Sequence, residues 1–276
     1  MRIDSHQHFW KAARGDYHWM SPAVQILCRD YLPQDLQPLL AENKIDKTIL
    51  VQAAQTQAET DFLLDLAGQH NFIAGVIGWL DMDSPAFGSE LDLYLKKEKF
   101  LGIRPMLQDI ADDDWILRPR VIGSLKLIAE RGVPFEFLTY PRHLPYVLKA
   151  IEMAPGLHAV VDHVSKPDIK NRKLDPWRSL MSEVAKHRNV HCKLSGMITE
   201  ADHKTWRADE VRPYVEHIFK CFGDDRVMYG SDWPVCLLAG SYNQVIGTLQ
   251  AILKPHLNGR QEAAVFGDNA ARFYKL

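Results

Sequence analysis

Two histidines separated by one residue, His6 and His8, are the first side chains of this chain that could do chemistry. Alternate residues of an extended strand point to the same side, so the two imidazoles share a face. Two later apolar runs also end in reactive groups, one at His163 and one at Asp232. Three imidazoles and one carboxylate suit a single zinc ion that activates water and polarises a carbonyl. Without metal, a histidine could bind a carbonyl oxygen while Asp232 deprotonates water, so both routes lead to hydrolysis.

Each of these residues also has a structural interpretation. Asp232 could cap a helix, His163 could be a hydrogen-bonded core histidine, and an N-terminal strand could carry its two histidines only as polar residues. Lys193 and Ser195, which end the seventh apolar run, could also be simple polar residues at a strand end. The joint occurrence of three histidines and an aspartate after separate apolar runs favours a site over these alternatives.

Arg104 is the predicted substrate clamp. It ends an apolar run, and its planar fork of N–H donors suits a carboxylate or several oxygens of a polar substrate. An ion pair with the acidic run 112–114 is the alternative. The direction of Glu136 stays open, because Phe135 and Phe137 compete for the barrel interior. Further substrate contacts are expected from Trp10, Gln52, Lys193 and Trp233.

The elements that must position these groups alternate along the chain. Eight short β-branched runs are predicted strands: 2–8, 48–53, 72–79, 101–104, 133–137, 158–163, 190–193 and 226–230. Helical spacing lies between them, over 61–70, 89–97, 121–131, 144–153, 177–187 and 211–221. This alternation implies parallel pairing and a single closed (β/α)8 barrel of the TIM type. Because such barrels carry their active sites at the carboxyl ends of the strands, the histidines and Asp232 would meet there.

Three further segments complete the prediction of one domain over residues 1–276. The aromatic-rich stretch 11–33 is too long for a simple turn, so we expect it to cover one end of the barrel. Helices are predicted over 242–253 and from Asp268-Asn269 onward, where either polar side chain could cap the last helix; they form a C-terminal helical extension.

On the eighth strand Gly230 has the parity of Asp232, which predicts open space for a small ligand beneath the carboxylate.

Composition excludes several classes of partner. With 276 residues, 46% of them hydrophobic, the chain can bury a large core. A net charge of −2 provides no basic field for nucleic acid or a membrane surface, and no apolar run of about 20 residues exists to span a bilayer. Four cysteines without CxxC spacing and an N-terminus without a secretory pattern predict a cytoplasmic protein with free thiols. We expect a small-molecule substrate, and the oligomeric state stays open, a homodimer included.

Five motifs together resemble the amidohydrolase superfamily, and within it the lactone-hydrolysing branch. They are 4–10 (DSHQHFW), 102–104 (GIR), 162–167 (DHVSKP), 192–196 (CKLSG) and 230–234 (GSDWP). The resemblance extends over nearly the whole chain. It implies a deformed (β/α)8 barrel that opens the cyclic ester of a small polar lactone, with a sugar lactone such as L-fucono- or L-rhamnonolactone favoured.

The resemblance also implies roles for matching positions. His6, His8 and His163 would bind a metal or polarise the substrate, and Asp232 would be the general base. Arg104 stands where many two-metal members keep a carboxylated lysine, so the resemblance implies one divalent ion, zinc first, or catalysis without metal. The alternatives are a dicarboxylate lactone hydrolase of the 2-pyrone-4,6-dicarboxylate type, a zinc-dependent decarboxylase of a small unsaturated acid, and a non-catalytic binding barrel.

Overall fold

Eight parallel strands form the centre of the molecule, in a computed structural model that describes residues 1–276. The strands are β1 (Ile3–Gln7), β2 (Lys47–Val51), β3 (Ile73–Gly78), β4 (Phe100–Ile103), β5 (Phe135–Phe137), β6 (Ala159–Val161), β7 (Val190–Leu194) and β8 (Val227–Tyr229). Each strand pairs in parallel with the next one along the chain. The predicted TIM-like (β/α)8 barrel is therefore confirmed.

The barrel closes where β1 meets the segment after β8. A single parallel bridge joins Gln7 to Trp233. The amide of His8 donates to the Trp233 carbonyl at 2.7 Å, and the amide of Asp232 donates to the His6 carbonyl at 2.8 Å. Closure by these backbone hydrogen bonds therefore brings the two histidines of β1 beside Asp232.

Ten helices accompany the strands. They are α1 (Pro33–Glu42), α2 (Gln57–Gln69), α3 (Phe87–Tyr94), α4 (Pro119–Glu130), α5 (Leu144–Met153), α6 (Trp177–Val184), α7 (Ala208–Phe222), α8 (Tyr242–Leu253), α9 (Gly259–Ala263) and α10 (Asn269–Tyr274). In α4 the residues Val121, Leu125 and Ile128 are buried, whereas Lys126 is exposed. This spacing gives a helix one apolar stripe, which packs on the barrel. No helix is long and apolar enough to cross a bilayer.

Helix α1 was not predicted from the sequence. Pro38 lies inside it and argues against a helix, because proline removes a backbone donor and crowds the preceding turn. Burial of Leu36 and Leu40 on one face outweighs that cost. Before α1, the predicted covering segment crosses the carboxyl-terminal end of the barrel, and the Trp10 ring meets those of Trp19 and Tyr31 edge to face at centroid distances of 5.0 and 5.5 Å.

The C-terminal segment closes the opposite end of the barrel. A π-helical turn over Ala264–Asp268 leads directly into α10, whose Phe273 and Tyr274 are buried with Ile3 of β1. A Cβ on Gly267 would lie 2.0 Å from the Met1 carbonyl oxygen, so only glycine allows this approach.

The predicted cap of the last helix is wrong. Neither Asp268 nor Asn269 caps α10 through its side chain, because the helical backbone runs on from the preceding turn without a break. The Asn269 amide instead donates to the carbonyls of Asp224 and Val227 at 2.7 and 2.6 Å. Asn269 therefore ties α10 to the segment around β8.

Candidate active site

A cavity of about 200 Å³ opens at the carboxyl ends of the strands. Its polar wall contains His8, Arg104, His163 and Asp232, which follow four different strands. Most of the remaining lining is apolar, and it includes Trp10, Trp19, Val24, Leu27, Leu138 and Val235. The cavity is thus mostly apolar with a few convergent polar groups, as small-molecule sites are.

Three imidazoles surround one carboxylate at the base of this cavity. The Nε2 atoms of His6 and His8 lie 3.2 Å apart. Asp232 Oδ1 lies 3.3 Å from His8 Nε2 and 3.9 Å from the Nε2 atoms of His6 and His163. Residues from the two ends and the middle of the chain therefore converge on one small volume, although His6 itself lies behind the wall.

Three of these side chains, His6, His8 and Asp232, fit a single divalent cation. Ligand atoms at about 2.0–2.1 Å from a tetrahedral zinc ion stand about 3.4 Å apart, and the separations in this set are 3.2, 3.3 and 3.9 Å. A second possible set pairs Asp162 with His6 and His163. Its carboxylate is already engaged, however, at 3.1 Å from Lys193 Nζ and 3.2 Å from Arg104 Nη1.

The protonation states also suit ligation and base catalysis. Burial lowers the pKa of His8, and it lowers the pKa values of His6 and His163 well below 6.5. For Asp232, burial raises the carboxyl pKa, but His163 and His8 outweigh it, so the pKa lies below its ordinary value. Neutral imidazoles offer lone pairs, and an ionised carboxylate can accept a proton.

A left-handed turn delivers His163 to the cavity. Strand β6 ends at Val161, earlier than predicted, and four consecutive residues then have positive φ: His163 at 51°, Val164 at 48°, Ser165 at 59° and Lys166 at 47°. Left-handed backbone costs about 1–2 kcal/mol per residue, and a β-branched residue such as Val164 rarely adopts it. The Trp177 indole stabilises the turn by donating to the Val164 carbonyl at 2.6 Å.

Two glycines allow the strand ends to approach each other. A Cβ on Gly196 would lie only 2.6 Å from His163 Nδ1, so a larger residue would displace that ring. With glycine there, His163 Nδ1 lies 2.9 Å from Ser195 Oγ. A Cβ on Gly230 would lie 2.7 Å from the Cβ of His6. The predicted ligand space beneath Asp232 is therefore wrong, since the side chain of His6 fills it.

Below the imidazoles lies a buried ionic cluster, formed by Glu136, Asp162 and Lys193. Lys193 Nζ lies 2.6 Å from Glu136 Oε2, 3.1 Å from Asp162 Oδ1 and 3.1 Å from His6 Nδ1. The Tyr274 hydroxyl donates to the other oxygen of Glu136. Glu136 thus points into the barrel. The prediction that Lys193 contacts substrate is corrected, because its ammonium is fully buried below the cavity among three partners.

Two reciprocal hydrogen bonds link Arg104 and Gln52 at the ends of β4 and β2. Arg104 Nη2 donates to the Gln52 carbonyl, and Gln52 Nε2 donates to the Arg104 carbonyl at 2.7 Å. Arg104 pairs with Asp162 rather than with the acidic run 112–114, and its side chain lines the cavity. Gln52 lies behind the wall, so its expected substrate contact is replaced by this supporting one.

The two tryptophans predicted to contact substrate occupy different places. Trp10 lines the cavity. Trp233 is buried behind it, where its ring meets those of Phe9 and Tyr31 at centroid distances of 6.0 and 5.2 Å. Its expected substrate contact is therefore replaced by a packing role at the closure of the barrel.

Three polar residues of the cavity wall have no role in the sequence prediction. Lys166 lies in the motif 162–167, three residues after His163, and that motif could have indicated it. Gln108 and Asp109 come from the irregular loop after β4. No spacing rule identifies them, because loop conformation alone brings them to the cavity.

The ends of the first, sixth and eighth strands of this (β/α)8 barrel bring three histidines and an aspartate together. This is the arrangement of a barrel enzyme with its site at the carboxyl ends of the strands. The chain belongs to the amidohydrolase family, whose model matches residues 3–276. This match confirms the resemblance of the five motifs and, together with the lactonase relatives, the expectation of a lactone-hydrolysing enzyme.

Known relatives cover the whole chain. It is 41% identical to an L-fucono-1,5-lactonase of Burkholderia ambifaria, over 100% of this chain and 96% of the relative. A crystal structure of a Burkholderia multivorans amidohydrolase with bound zinc superimposes with a TM-score of 0.96 at 34% identity, over 100% of this chain and 99% of the other. A probable 2-pyrone-4,6-dicarboxylic acid hydrolase of Acinetobacter baumannii, with a TM-score of 0.80 at 18% identity over 100% and 99% of the two chains, shares the fold.

Proposed function

We propose that this chain hydrolyses a sugar lactone, with L-fucono-1,5-lactone as the first candidate. The observation that carries the proposal is the convergence of His8, His163 and Asp232 on one cavity, with Asp232 Oδ1 within 3.9 Å of both imidazoles. The 41% identity to an L-fucono-1,5-lactonase over the full chain supports the choice of substrate.

In the proposed reaction Asp232 is the general base. Its carboxylate, ionised at neutral pH, accepts a proton from the water that attacks the lactone carbonyl carbon. The bond between that carbon and the ring oxygen then breaks, and Asp232 returns the proton to the ring oxygen. The product is a hydroxy acid.

The histidines orient the reacting groups. His8 Nδ1 lies 2.8 Å from the Val51 carbonyl, which fixes the ring and leaves Nε2 toward Asp232. His6, His8, His163 and Asp232 would hold the single divalent ion, which we propose is zinc. When bound there, zinc supplies Lewis-acid polarisation of a carbonyl.

The charge of the cavity wall favours a neutral polyol over a dicarboxylate. A dicarboxylate lactone needs at least two available cations, and Arg104 is already paired with Asp162 at 3.2 Å. Asp109 adds a negative charge to the same wall. Hydroxyl groups can use both charge signs as hydrogen-bond partners, and a small sugar ring suits a cavity of about 200 Å³.

A lactone panel in pH-indicator buffer, with and without chelator, tests this function. The panel contains L-fucono-1,5-lactone, L-rhamnonolactone and 2-pyrone-4,6-dicarboxylate. We expect acid release from the sugar lactones and little from the dicarboxylate. Acid release from the dicarboxylate alone would contradict the proposed substrate class, and carbon dioxide release from unsaturated acids without any lactonase activity would contradict hydrolysis itself.

A further inference from the structure

We infer that Lys166 is a further catalytic residue, whose ammonium binds the lactone carbonyl oxygen in the transition state and the carboxylate of the product afterwards. The inference rests on the proposed function. It assigns a task to a residue that faces the cavity together with His163 and Asp232.

The first argument is that Lys166 has donors to spare. Its Nζ donates no hydrogen bond within the chain, and the nearest carboxylate oxygen, Glu200 Oε1, is 4.0 Å away. Arg104 and Lys193, the two neighbouring cations, differ from Lys166 in this respect. Arg104 pairs with Asp162 at 3.2 Å, and Lys193 has three close partners. An ammonium carries three N–H donors, so Lys166 can bind an incoming oxygen without giving up an existing ion pair.

The second argument is the backbone that presents it. The left-handed turn of residues 163–166 is costly, and such strain persists mainly where function requires it. The turn places both His163 and Lys166 at the cavity, three residues apart. The side chain of Lys166 also packs against the Tyr140 ring, with Nζ at 5.5 Å from the centroid, a cation–π contact at the rim of the cavity that it lines.

The third argument is the charge that the reaction develops. Water adds its oxygen to the carbonyl carbon while Asp232 takes one of its protons, so negative charge moves onto the carbonyl oxygen. A fixed cation near that oxygen stabilises this charge in a partly dry cavity. When the tetrahedral intermediate collapses, the ring oxygen takes the proton from Asp232. The new carboxylic acid ionises and releases its proton to solvent, leaving an anion for Lys166 to hold.

Three lysine variants of the full chain test the inference. Lys166→Met removes the charge with little change in length, and Lys166→Arg keeps it. Lys170→Met is the matched control, because Lys170 belongs to the same loop but is exposed beside Asp202. For each we would measure kcat and KM with L-fucono-1,5-lactone and the inhibition constant of L-fuconate.

We expect kcat of Lys166→Met to fall about 100-fold, as for loss of one oxyanion donor, and the L-fuconate inhibition constant to rise at least about tenfold. Lys166→Arg should recover part of both, and Lys170→Met should match the wild type. Loss of a merely structural contact would not weaken product inhibition selectively.

The inference is overturned if Lys166→Met keeps kcat within about threefold of the wild type and binds L-fuconate equally well. That result, with an active wild type, would leave the proposed lactonase standing. An inactive wild type would instead contradict the proposed function. If Lys166→Met does not fold, Lys166→Ala also removes the ammonium without supplying another donor and is held to the same two outcomes.

Discussion

Two polar groups of side chains lie one above the other in this barrel, and they are built differently. In the buried ionic cluster below, Lys193 Nζ lies 2.6 Å from Glu136 and 3.1 Å from Asp162, and none of the three side chains is exposed. At the cavity above, three imidazoles surround the single carboxylate of Asp232 at 3.3 to 3.9 Å, and Lys166 has its nearest carboxylate at 4.0 Å.

The buried ionic cluster, here the lower group, positions other side chains, whereas the imidazoles, Asp232 and Lys166 at the cavity, here the upper group, can carry out chemistry. Charges that are matched within hydrogen-bond distance have no capacity left for a ligand, and their value lies in fixing what they contact. Lys193 contacts His6 Nδ1, so the lower group fixes a member of the upper one. The upper group keeps lone pairs and donors free, as a site for a cation and a polar substrate requires.

The most destructive change to the lower group should be Lys193→Met. Removing the lysine leaves Glu136 and Asp162 buried without their shared cation, which costs about 3–5 kcal/mol. Urea unfolding followed by circular dichroism would measure the loss in the free energy of unfolding.

The double variant Lys193→Met/Glu136→Gln is the matched control for this prediction. It also removes one of the orphaned charges, so it should recover part of the lost stability. An unchanged stability of the single variant would show that the lower group is not held together by its charges.

Zinc should stabilise the protein through the upper group alone. A ligand at one hundred times its dissociation constant adds about 2.7 kcal/mol to the free energy of unfolding. Replacing His8 by Asn should remove most of this gain, whereas replacing Lys170 by Met should leave it intact. Thermal unfolding with zinc and with chelator measures both. Equal stabilisation of the His8 variant would place the ion elsewhere.

The pH dependence of stability should report on the lower group. Burial, with a further contribution from Asp162, raises the pKa of Glu136 from 4.5 to about 7, although Lys193 opposes the shift. Between these values the folded protein keeps a proton that the unfolded chain has lost. This contribution to stability is therefore complete below pH 4.5 and declines as the pH rises through 7.

Glu136→Gln has no proton to lose and should show a flatter profile than the wild type between pH 5 and about 8. Urea unfolding midpoints of the two proteins, measured in parallel across this range, provide the comparison. Parallel profiles would mean that Glu136 is ionised throughout, as a simple ion pair with Lys193 would be.

Most of the architecture is predictable from the spacing of apolar residues, which recur every second residue in strands and every three to four residues in helices. Alternation along β1 predicts the shared face of His6 and His8, whose Nε2 atoms lie 3.2 Å apart. Strand and helix alternation predicts the barrel, and the barrel predicts that His163 and Asp232 join them at one end. These inferences succeed because burial selects side-chain direction residue by residue.

The failures share a different cause, which is contact between segments far apart in sequence. The space at Gly230 is filled by His6 of another strand, and the polar partners of Lys193 come from β5 and the turn after β6. Burial of apolar side chains outweighs the unfavourable Pro38 in α1. The left-handed turn that presents Lys166 follows no local rule.

Activity of Asp232→Asn is the most direct test of the central claim. Asparagine keeps the shape but cannot accept the proton of water, so kcat for L-fucono-1,5-lactone should fall about 1000-fold, within the range for loss of a general base. The control Asp168→Asn, at a partly exposed carboxylate beside Lys173, should keep the wild-type rate. A folded Asp232→Asn variant with turnover within about threefold of the wild type would contradict the account.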